Sequence, residues 1–441
     1  MAATVVQSAP VGLQAPSPGS RPSRPTPARL RLITAGLVAA VLALLGMTAA
    51  SFIQARSQAD TVTSRARTAA QAGDLYFALA DLDAEAARLV LLGNGNFQAD
   101  DGAYDGNQLS ALIAYNSRTA QVDTDLQALA ADGANATAIT AEVTQYRSTA
   151  DSAIGLDEFP GAPAGEPLPT AIGFYSRAAT MMQGVVLPAA AQLRNQTAAE
   201  ASQAADSAHR WALVGLIGTL ALGVLAVLVL VRAQRKFTIM FRRTLNPALI
   251  GSTVVIVALL AGAAAGLGAT AQDASDSGSR LASYLQIVTT RAESYDADGT
   301  AVRSVLMPDA YTDVQLGPEK LNVATDLKSL GAAGDEASTL WSQTKGPATD
   351  YQSILDAVTS GNTARALTIE TGTARGEAAF DFYDYDHSLQ SLGAQRLASF
   401  QAAADGLSSD VGPWLYWPWI LAGAALLLIT LAARPRLAEY R

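Results

Sequence analysis

Two carboxylates and an arginine recur with the same spacing at two places in the chain, and they could bind a charged small molecule. The two sets are Asp81, Asp83 and Arg88, and Asp296, Asp298 and Arg303. A guanidinium held near the inner surface of a helical bundle could bind the carboxylate of an amino acid or a dicarboxylate through paired hydrogen bonds. The same side chains could instead form ion pairs on the surface or between bundles, each contributing at most about 1 kcal/mol if exposed. We favour the ion pairs.

The densest aromatic and acidic cluster outside the apolar runs is a second candidate site. It consists of Asp381, Phe382, Tyr383, Asp384, Tyr385, Asp386 and His387. On a helix, Tyr383 and His387 share one face, whereas Phe382 and Tyr385 project elsewhere. Exposed aromatic rings beside carboxylates would suit docking of another extracytoplasmic protein. Most such stripes pack in a core, and we favour that role here.

The composition argues against several classes of chemistry. The chain has no cysteine and only two histidines, which excludes a His-rich metal site and a Cys–His nucleophile. Asp100, Asp101 and Asp105 resemble a calcium loop only loosely, because the ligand spacing of such loops is missing. No Walker-type, kinase or Gly-x-Ser-x-Gly motif is present. We therefore predict a protein that is not an enzyme and that needs no metal or cofactor.

The two Asp-x-Asp…Arg sets belong to a longer internal similarity at an offset of 215 residues. Further identical positions at this offset are Gly36 and Gly251, Ser64-Arg65 and Ser279-Arg280, Gln71 and Gln286, Ala86 and Ala301, and Val90-Leu91 and Val305-Leu306. The chain is therefore predicted to contain two copies of one unit. The alternative is chance agreement between two alanine-rich segments.

Four apolar runs without a charged side chain are long enough to cross a bilayer as helices, which takes about 20 residues each. They are residues 32–53, 211–231, 247–271 and 414–433. No ionisable residue lies inside them, which argues against an ion or proton pathway. We predict a multi-pass protein of the plasma (inner) membrane.

Basic residues gather in the three shorter segments between and beyond the apolar runs. These segments are residues 1–31, 232–246 and 434–441, and Glu439 is their single acidic residue. The positive-inside rule then places both termini and the loop 232–246 in the cytoplasm, and segments 54–210 and 272–413 outside. The acidic exterior argues against nucleic acid as a partner, and membrane lipid suffices to explain the inner bases. Residues 1–31 are predicted to be a disordered tail because they are rich in Pro, Ser, Gly and Ala.

Helical periodicity fills both outer segments. In segment 54–92, Leu75, Leu79, Leu82 and Leu89 recur at helical steps with charged residues between them. Helices are expected at 54–92, 108–132, 135–157 and 170–210, and again at 273–307, 317–332, 335–360 and 363–411. The predicted fold class is an all-α membrane protein with four transmembrane helices and two extracytoplasmic four-helix bundles arranged as a tandem parallel repeat. This geometry resembles chemoreceptor-type sensor domains, either as a pseudo-dimeric monomer or as a homodimer.

The layout resembles a family of actinobacterial membrane proteins encoded beside a glutamine-binding lipoprotein and the soluble serine/threonine protein kinase G. The resemblance rests on the two span–bundle–span units, the repeated Asp-x-Asp…Arg helix and the basic inner loop. It implies a relay, in which an extracytoplasmic amino-acid-binding lipoprotein docks on the outer bundles and a cytoplasmic serine/threonine kinase receives the signal. No binding site of that family can be matched residue by residue.

The inner loop is the predicted cytoplasmic relay surface, because it combines bases with apolar side chains. Its residues are Arg232, Arg235, Lys236, Phe237, Phe241, Arg242 and Arg243. Contact with lipid alone is the more common role for such a mixture. Two other functions remain open: a stand-alone chemosensor that binds its ligand directly, and a constitutive scaffold protein of the cell envelope.

Overall fold

The computed structural model describes residues 27–93, 103–134, 136–158, 162–241, 247–412, 414 and 416–438. These residues form helices joined by turns, with no strand among them. The predicted all-α class is therefore confirmed for the described part of the chain.

The described residues of the N-terminal half, up to residue 241, form five α-helices. They are α1 Pro27–Leu92, α2 Ala103–Ala131, α3 Thr137–Glu158, α4 Pro169–Met181 and α5 Leu187–Phe241. A π-helical turn, Met182–Val186, joins α4 to α5 without a break. The predicted helices are present here, and the last of them carries this unpredicted wide turn.

The C-terminal half, from residue 247, contains more helices than the sequence analysis predicts. They are α6 Pro247–Leu306, α7 Asp313–Ser329, α8 Asp335–Ser342, α9 Pro347–Thr359, α10 Thr363–Thr371, α11 Ala378–Val411 and α12 Trp417–Ala438, with a short 3₁₀ turn at Gly331–Gly334. The predicted helix 335–360 is wrong, because Gly346 is extended and Pro347 starts a new helix. The predicted helix 363–411 is also wrong, because it is interrupted between Thr371 and Ala378.

Three helical segments are long and apolar enough to cross a membrane, and a shorter apolar helix accompanies them. The long segments are Leu32–Leu92, Pro169–Lys236 and Pro247–Leu306, and the shorter one is Trp417–Ala432. Each predicted apolar run lies largely or wholly within one of them. These features fit a membrane protein.

Local signals explain where key helices begin and end. Gly93 ends α1 with φ of 54°, and a Cβ there would lie 2.4 Å from the carbonyl oxygen of Ala162. Only glycine fits that position. At the start of α7, the side chain of Thr312 accepts a hydrogen bond from the backbone of Val314, and Gln315 completes a capping box.

The described residues divide into two compact units. One is Leu220–Ala261 with described residues of 1–47 and 418–441, and its apolar core includes Leu44, Leu230 and Ile256. The other is Thr48–Thr219 with Gly262–Trp417, and it holds the large core that both halves share. All residues from Ala297 to Leu306 are buried in that second unit, as are those from Phe77 to Leu92 apart from the half-buried Arg88.

Candidate functional site

The C-terminal parts of α1 and α6 meet at residues that lie 215 positions apart in the sequence. A Cβ on Gly299 would lie 3.4 Å from the Cβ of Ala84, and Gly299 is the residue 215 positions after Ala84. One on Gly73 would lie 3.6 Å from the Cγ1 of Val288, again its equivalent. Contacts between equivalent residues are what a two-fold relation between α1 and α6 produces.

Arg88 extends from α1 to an acidic residue of α6. Its Nη2 donates to Asp298 Oδ2 over 2.7 Å, and its Nη1 donates to Glu85 Oε1 over 2.9 Å. Glu370 of α10 lies further away, with Oε1 3.7 Å from the same Nη2. Arg88 thus faces three carboxyl groups, those of Asp298, Glu85 and Glu370.

Arg303 makes the reverse connection from α6 to α1. Its Nη1 donates to Asp83 Oδ2 over 2.6 Å, and its Nη2 bonds to Asp296 Oδ1 at 3.2 Å and to Thr300 Oγ1 at 2.7 Å. The guanidinium is fully buried beneath the ring of Tyr311. Together the two arginines form reciprocal ion pairs, Arg88 with Asp298 and Arg303 with Asp83.

A buried tyrosine completes each ion pair. Tyr146 of α3 donates to Asp83 Oδ1, and Tyr351 of α9 donates to Asp298 Oδ1, both over 3.0 Å. Each central aspartate therefore accepts from one arginine of the other half and one tyrosine of its own half. Hydrogen bonds of this kind allow a carboxylate to remain inside a core.

The first aspartate of each set, Asp81 or Asp296, has different partners in the two halves. Asp81 pairs with Arg118 of α2, whose guanidinium also lies 4.9 Å from the centre of the Phe77 ring. Burial raises the pKa of Asp81 to about 6, although Arg118 opposes the shift. Asp296 instead bonds to Arg303 and to Gln183. The two-fold relation between the halves therefore does not extend to the partners of Asp81 and Asp296.

The network holds more carboxylates than guanidinium groups, and burial makes this costly. Burial raises the pKa of Glu85 to about 7 and raises that of Glu370 well above its usual range. Both Glu370 oxygens lack a hydrogen-bond donor among the described residues. Although burial alone would lower it, the carboxylates of Glu85, Asp298 and Glu370 raise the pKa of Arg88. Protons are therefore expected to be shared among these acids near neutral pH.

Gln183, in the π-turn between α4 and α5, contacts both halves. Its Nε2 donates to Asp296 Oδ1 over 2.7 Å and to Asp83 Oδ2 over 3.4 Å. The sequence analysis missed Gln183, Glu370 and the two tyrosines. Pro188, two residues after the end of the turn, is the signal that could have indicated an irregular helix at this point.

The Asp381–His387 cluster is divided between the core and the surface. Phe382 and Tyr385 are buried, and the Tyr385 ring lies 5.0 Å from that of Trp341. Asp381 is buried and accepts from the backbone of Gly376.

Asp386 of this cluster binds Arg291 through both oxygens, at 2.8 and 2.9 Å. Tyr383, with 67% of its surface exposed, stacks on His387, and Asp384 lies 3.9 Å from Arg375. Tyr383 and Asp384, with His387, are therefore the members available to a partner.

The predicted relay surface is described only in part. Arg232, Arg235 and Lys236 are exposed near the end of α5. Phe237 and Phe241 belong to α5, but their side chains, together with Arg242 and Arg243, lie outside the described residues. The loosely calcium-like Asp100 and Asp101 also lie outside them, as does the side chain of Asp105. Among the described residues, no group of three or more His, Cys, Asp or Glu is arranged to hold a metal ion.

Residues 58–206 match the family model described as Actinobacterial sensor domain. The matched stretch contains Asp81, Asp83, Arg88 and Gln183. The match supports an actinobacterial sensor protein and suggests a sensing role. No curated protein and no solved structure matches the chain.

Proposed function

We propose that the chain is a non-enzymatic signal transducer of the plasma membrane, in which two copies of one sensor unit pair within a single chain. The observation that carries this proposal is the exchange of ion-pair partners between Arg88 and Asp298 on one side and Arg303 and Asp83 on the other. Homodimeric sensors place such reciprocal contacts between two chains, and a tandem repeat can supply both halves. The similarity of residues 58–206 to a sensor domain supports the same role.

The proposed topology has four membrane spans, 32–53, 211–231, 247–271 and 414–433, with segments 54–210 and 272–413 as extracytoplasmic bundles. The apolar helices described above are consistent with these spans. The excess of basic residues in 1–31, 232–246 and 434–441 supports cytoplasmic termini and a cytoplasmic loop. The cytoplasmic parts are small, so the signal would pass to a separate protein.

The proposed input is extracytoplasmic amino-acid availability, read through a solute-binding lipoprotein that docks on the outer bundles. The proposed output is a cytoplasmic serine/threonine kinase that contacts the basic loop. This assignment rests on the family resemblance in layout. The placement of Arg88 and Arg303 favours an indirect input, because carboxylates of the chain already occupy both guanidinium groups.

Affinity purification of the tagged full-length protein in mild detergent tests the relay. It is carried out with and without added aspartate, glutamate and glutamine, and the recovered proteins are identified by mass spectrometry. We expect a solute-binding lipoprotein and a serine/threonine kinase, in amounts that change with the amino acid. Recovery of neither would contradict the relay.

A stand-alone chemosensor is the second candidate, and one cavity favours it. A space of about 320 Å³ lies between α5 and α6, bordered by Arg194, Leu281 and Leu285 among others. No carboxylate of the described residues forms an ion pair with Arg194, which bonds to Thr289 and stacks 4.4 Å above the ring of Tyr76. Direct binding of a small carboxylate by the purified protein, lost in Arg194→Ala and kept in the exposed-residue control Arg177→Ala, would support this candidate.

A further inference from the structure

The turn that carries Gln183 has a local cause in the sequence. In Met182–Val186 the backbone N–H of Leu187 reaches the carbonyl of Met182, five residues back. Pro188 follows and has no N–H, and in a regular α-helix its ring would meet the carbonyl of Gly184. The wide π-turn avoids that conflict by inserting one extra residue. Single π-turns inside α-helices are frequently found at functional sites.

The wide turn directs Gln183 to acceptors that Arg303 also uses. Arg303 donates to Asp83 and Asp296, and the Gln183 amide donates to the same two carboxylates. One of these aspartates belongs to α1 and the other to α6. The amide therefore adds a neutral hydrogen-bond donor, from the π-turn between α4 and α5, to the buried charge network.

After Gln183, the chain continues into α5, which packs antiparallel to α6 and contacts it at several points. Arg194 Nη1 donates to Thr289 Oγ1 over 3.0 Å, and His209 Nδ1 lies 2.9 Å from the carbonyl oxygen of Ala271. Between these two contacts, a Cβ on Gly278 would lie 3.3 Å from Ala205. The hydrogen bond from Gln183 to Asp296 extends this line of contacts to the π-turn that precedes α5.

We propose that Gln183 is a positioning residue that ties α5 to the charge network between the halves, so that the state of the network sets the position of α5. This inference rests on the transducing role proposed above and gives it a route. An input that moved α1 relative to α6 would redistribute Asp83 and Asp296 between Arg303 and Gln183. Because α5 runs without a break from Leu187 to Phe241, a displacement at its start is carried toward its basic end.

Distance measurement between two nitroxide labels tests the inference on the full-length protein. The chain has no cysteine, so Ser202→Cys on α5 and Thr325→Cys on α7 take the labels alone, and both positions are exposed. We compare Gln183→Leu, which removes the amide, with Gln192→Leu, which changes an exposed residue of α5. Gln183→Leu is expected to shift the mean distance by about 1.5 Å, the rise of one residue, or to broaden the distribution clearly. Gln192→Leu is expected to change neither.

Coupling to the network is measured by adding Asp296→Asn. We expect this substitution to shift the distance when Gln183 is present and to add nothing in Gln183→Leu. An equal shift in both backgrounds would overturn the inference, as would a Gln183→Leu protein indistinguishable from Gln192→Leu. If Gln183→Leu does not fold, Gln183→Asn, which keeps the amide but shortens the side chain, serves in its place. The measurement reads geometry without any partner, so its failure is separate from failure to recover the lipoprotein or the kinase.

Discussion

Arg303 of α6 and Asp83 of α1 form a buried ion pair with 2.6 Å between Nη1 and Oδ2, and adding or subtracting 215 converts the two residues into Asp298 and Arg88. Arg88 and Asp298 form the equivalent ion pair, with 2.7 Å between Nη2 and Oδ2. Buried ion pairs add little net stability, because desolvation opposes the attraction. Their effect is to fix which surfaces of α1 and α6 meet.

Removing Arg303 is expected to destabilise the protein strongly. Arg303→Met leaves the buried Asp83 and the half-buried Asp296 without their guanidinium, and breaking a buried pair such as Arg303–Asp83 costs about 3–5 kcal/mol. The measurement is the unfolding midpoint of the purified protein in detergent. Arg365→Met, at an exposed position, is the control and is expected to remain within about 0.5 kcal/mol of the unchanged protein.

The double substitution Arg303→Met with Asp83→Leu isolates the pair itself. It removes both charges, so we expect it to recover part of the stability lost in Arg303→Met. Strictly additive losses in the two single variants and the double variant would contradict a direct interaction.

Stability is expected to fall as the pH rises from about 4.5 to about 7. Burial raises the pKa of Glu85 to about 7, against an ordinary value of 4.5, while Arg88 and Arg118 oppose the shift and Asp81 and Asp298 add to it. The folded state therefore holds the proton more tightly than the unfolded state. The resulting stabilisation is complete below about pH 4.5 and is lost as the pH rises to about 7, at up to about 1.4 kcal/mol per pH unit.

Glu85→Gln mimics the protonated acid and is expected to flatten this dependence. The measurement is the unfolding midpoint between pH 5 and pH 8 for the variant and the unchanged protein. Identical slopes would show that Glu85 does not hold the proton in question. Other acids whose pKa is raised by burial, such as Asp81 (to about 6) and Glu370 (well above its usual range), are expected to leave a remaining slope.

The contact between Ala84 and Gly299 predicts that a single methyl group is harmful at position 299. A Cβ there would lie 3.3 Å from the Cα of Ala84 and 3.1 Å from Arg303 Nη1. Gly155→Ala, in α3, places the same methyl group in open space and is expected to stabilise its helix by about 0.5–1 kcal/mol. Gly299→Ala is expected to be destabilising by about 1–3 kcal/mol, as overpacked cores are. Equal effects of the two substitutions on the unfolding midpoint would contradict close packing of α1 on α6.

The exposed part of the Asp381–His387 cluster allows a test of docking. Tyr383→Ala is expected to leave the unfolding midpoint unchanged, because its ring is largely exposed, and to reduce recovery of the lipoprotein in affinity purification. Tyr385→Ala removes a buried ring and is expected to cost about 3–5 kcal/mol of stability. Undiminished recovery with Tyr383→Ala would place docking elsewhere.

Local patterns in the sequence predicted the long helices well. The leucines of segment 54–92 and the apolar runs have helical periodicity or length that does not depend on distant residues. The sequence analysis did not predict the breaks at Gly346 and Thr371, although Pro347 and Gly372 indicate them, because the segments on both sides of each break are compatible with helix. The π-turn was also not predicted, although Pro188 is a local signal for it.

Long-range contacts could be predicted only where the offset of 215 residues indicated them. The two arginines were found as equivalent positions, but their exchange of partners depends on how α1 packs against α6. Glu370, which lies 3.7 Å from Arg88, has no acidic counterpart in the repeat, because the residue 215 positions earlier is Gly155. The register of distant helices is set by the whole core, which no local spacing reveals.

The most direct test of the account is a disulfide between Ala84→Cys and Gly299→Cys in the otherwise cysteine-free chain. A Cβ at position 299 lies 3.4 Å from the Cβ of Ala84, close to the separation of about 3.5–4.5 Å found in disulfides. After mild oxidation, the protein is expected to run as a monomer in non-reducing electrophoresis, and mass spectrometry of the digested monomer band is expected to find the bond between residues 84 and 299. Each single-cysteine variant is expected to give no such bond. A bond that joins two chains, or no bond at all in a folded protein, would contradict the pairing of the two halves within one chain.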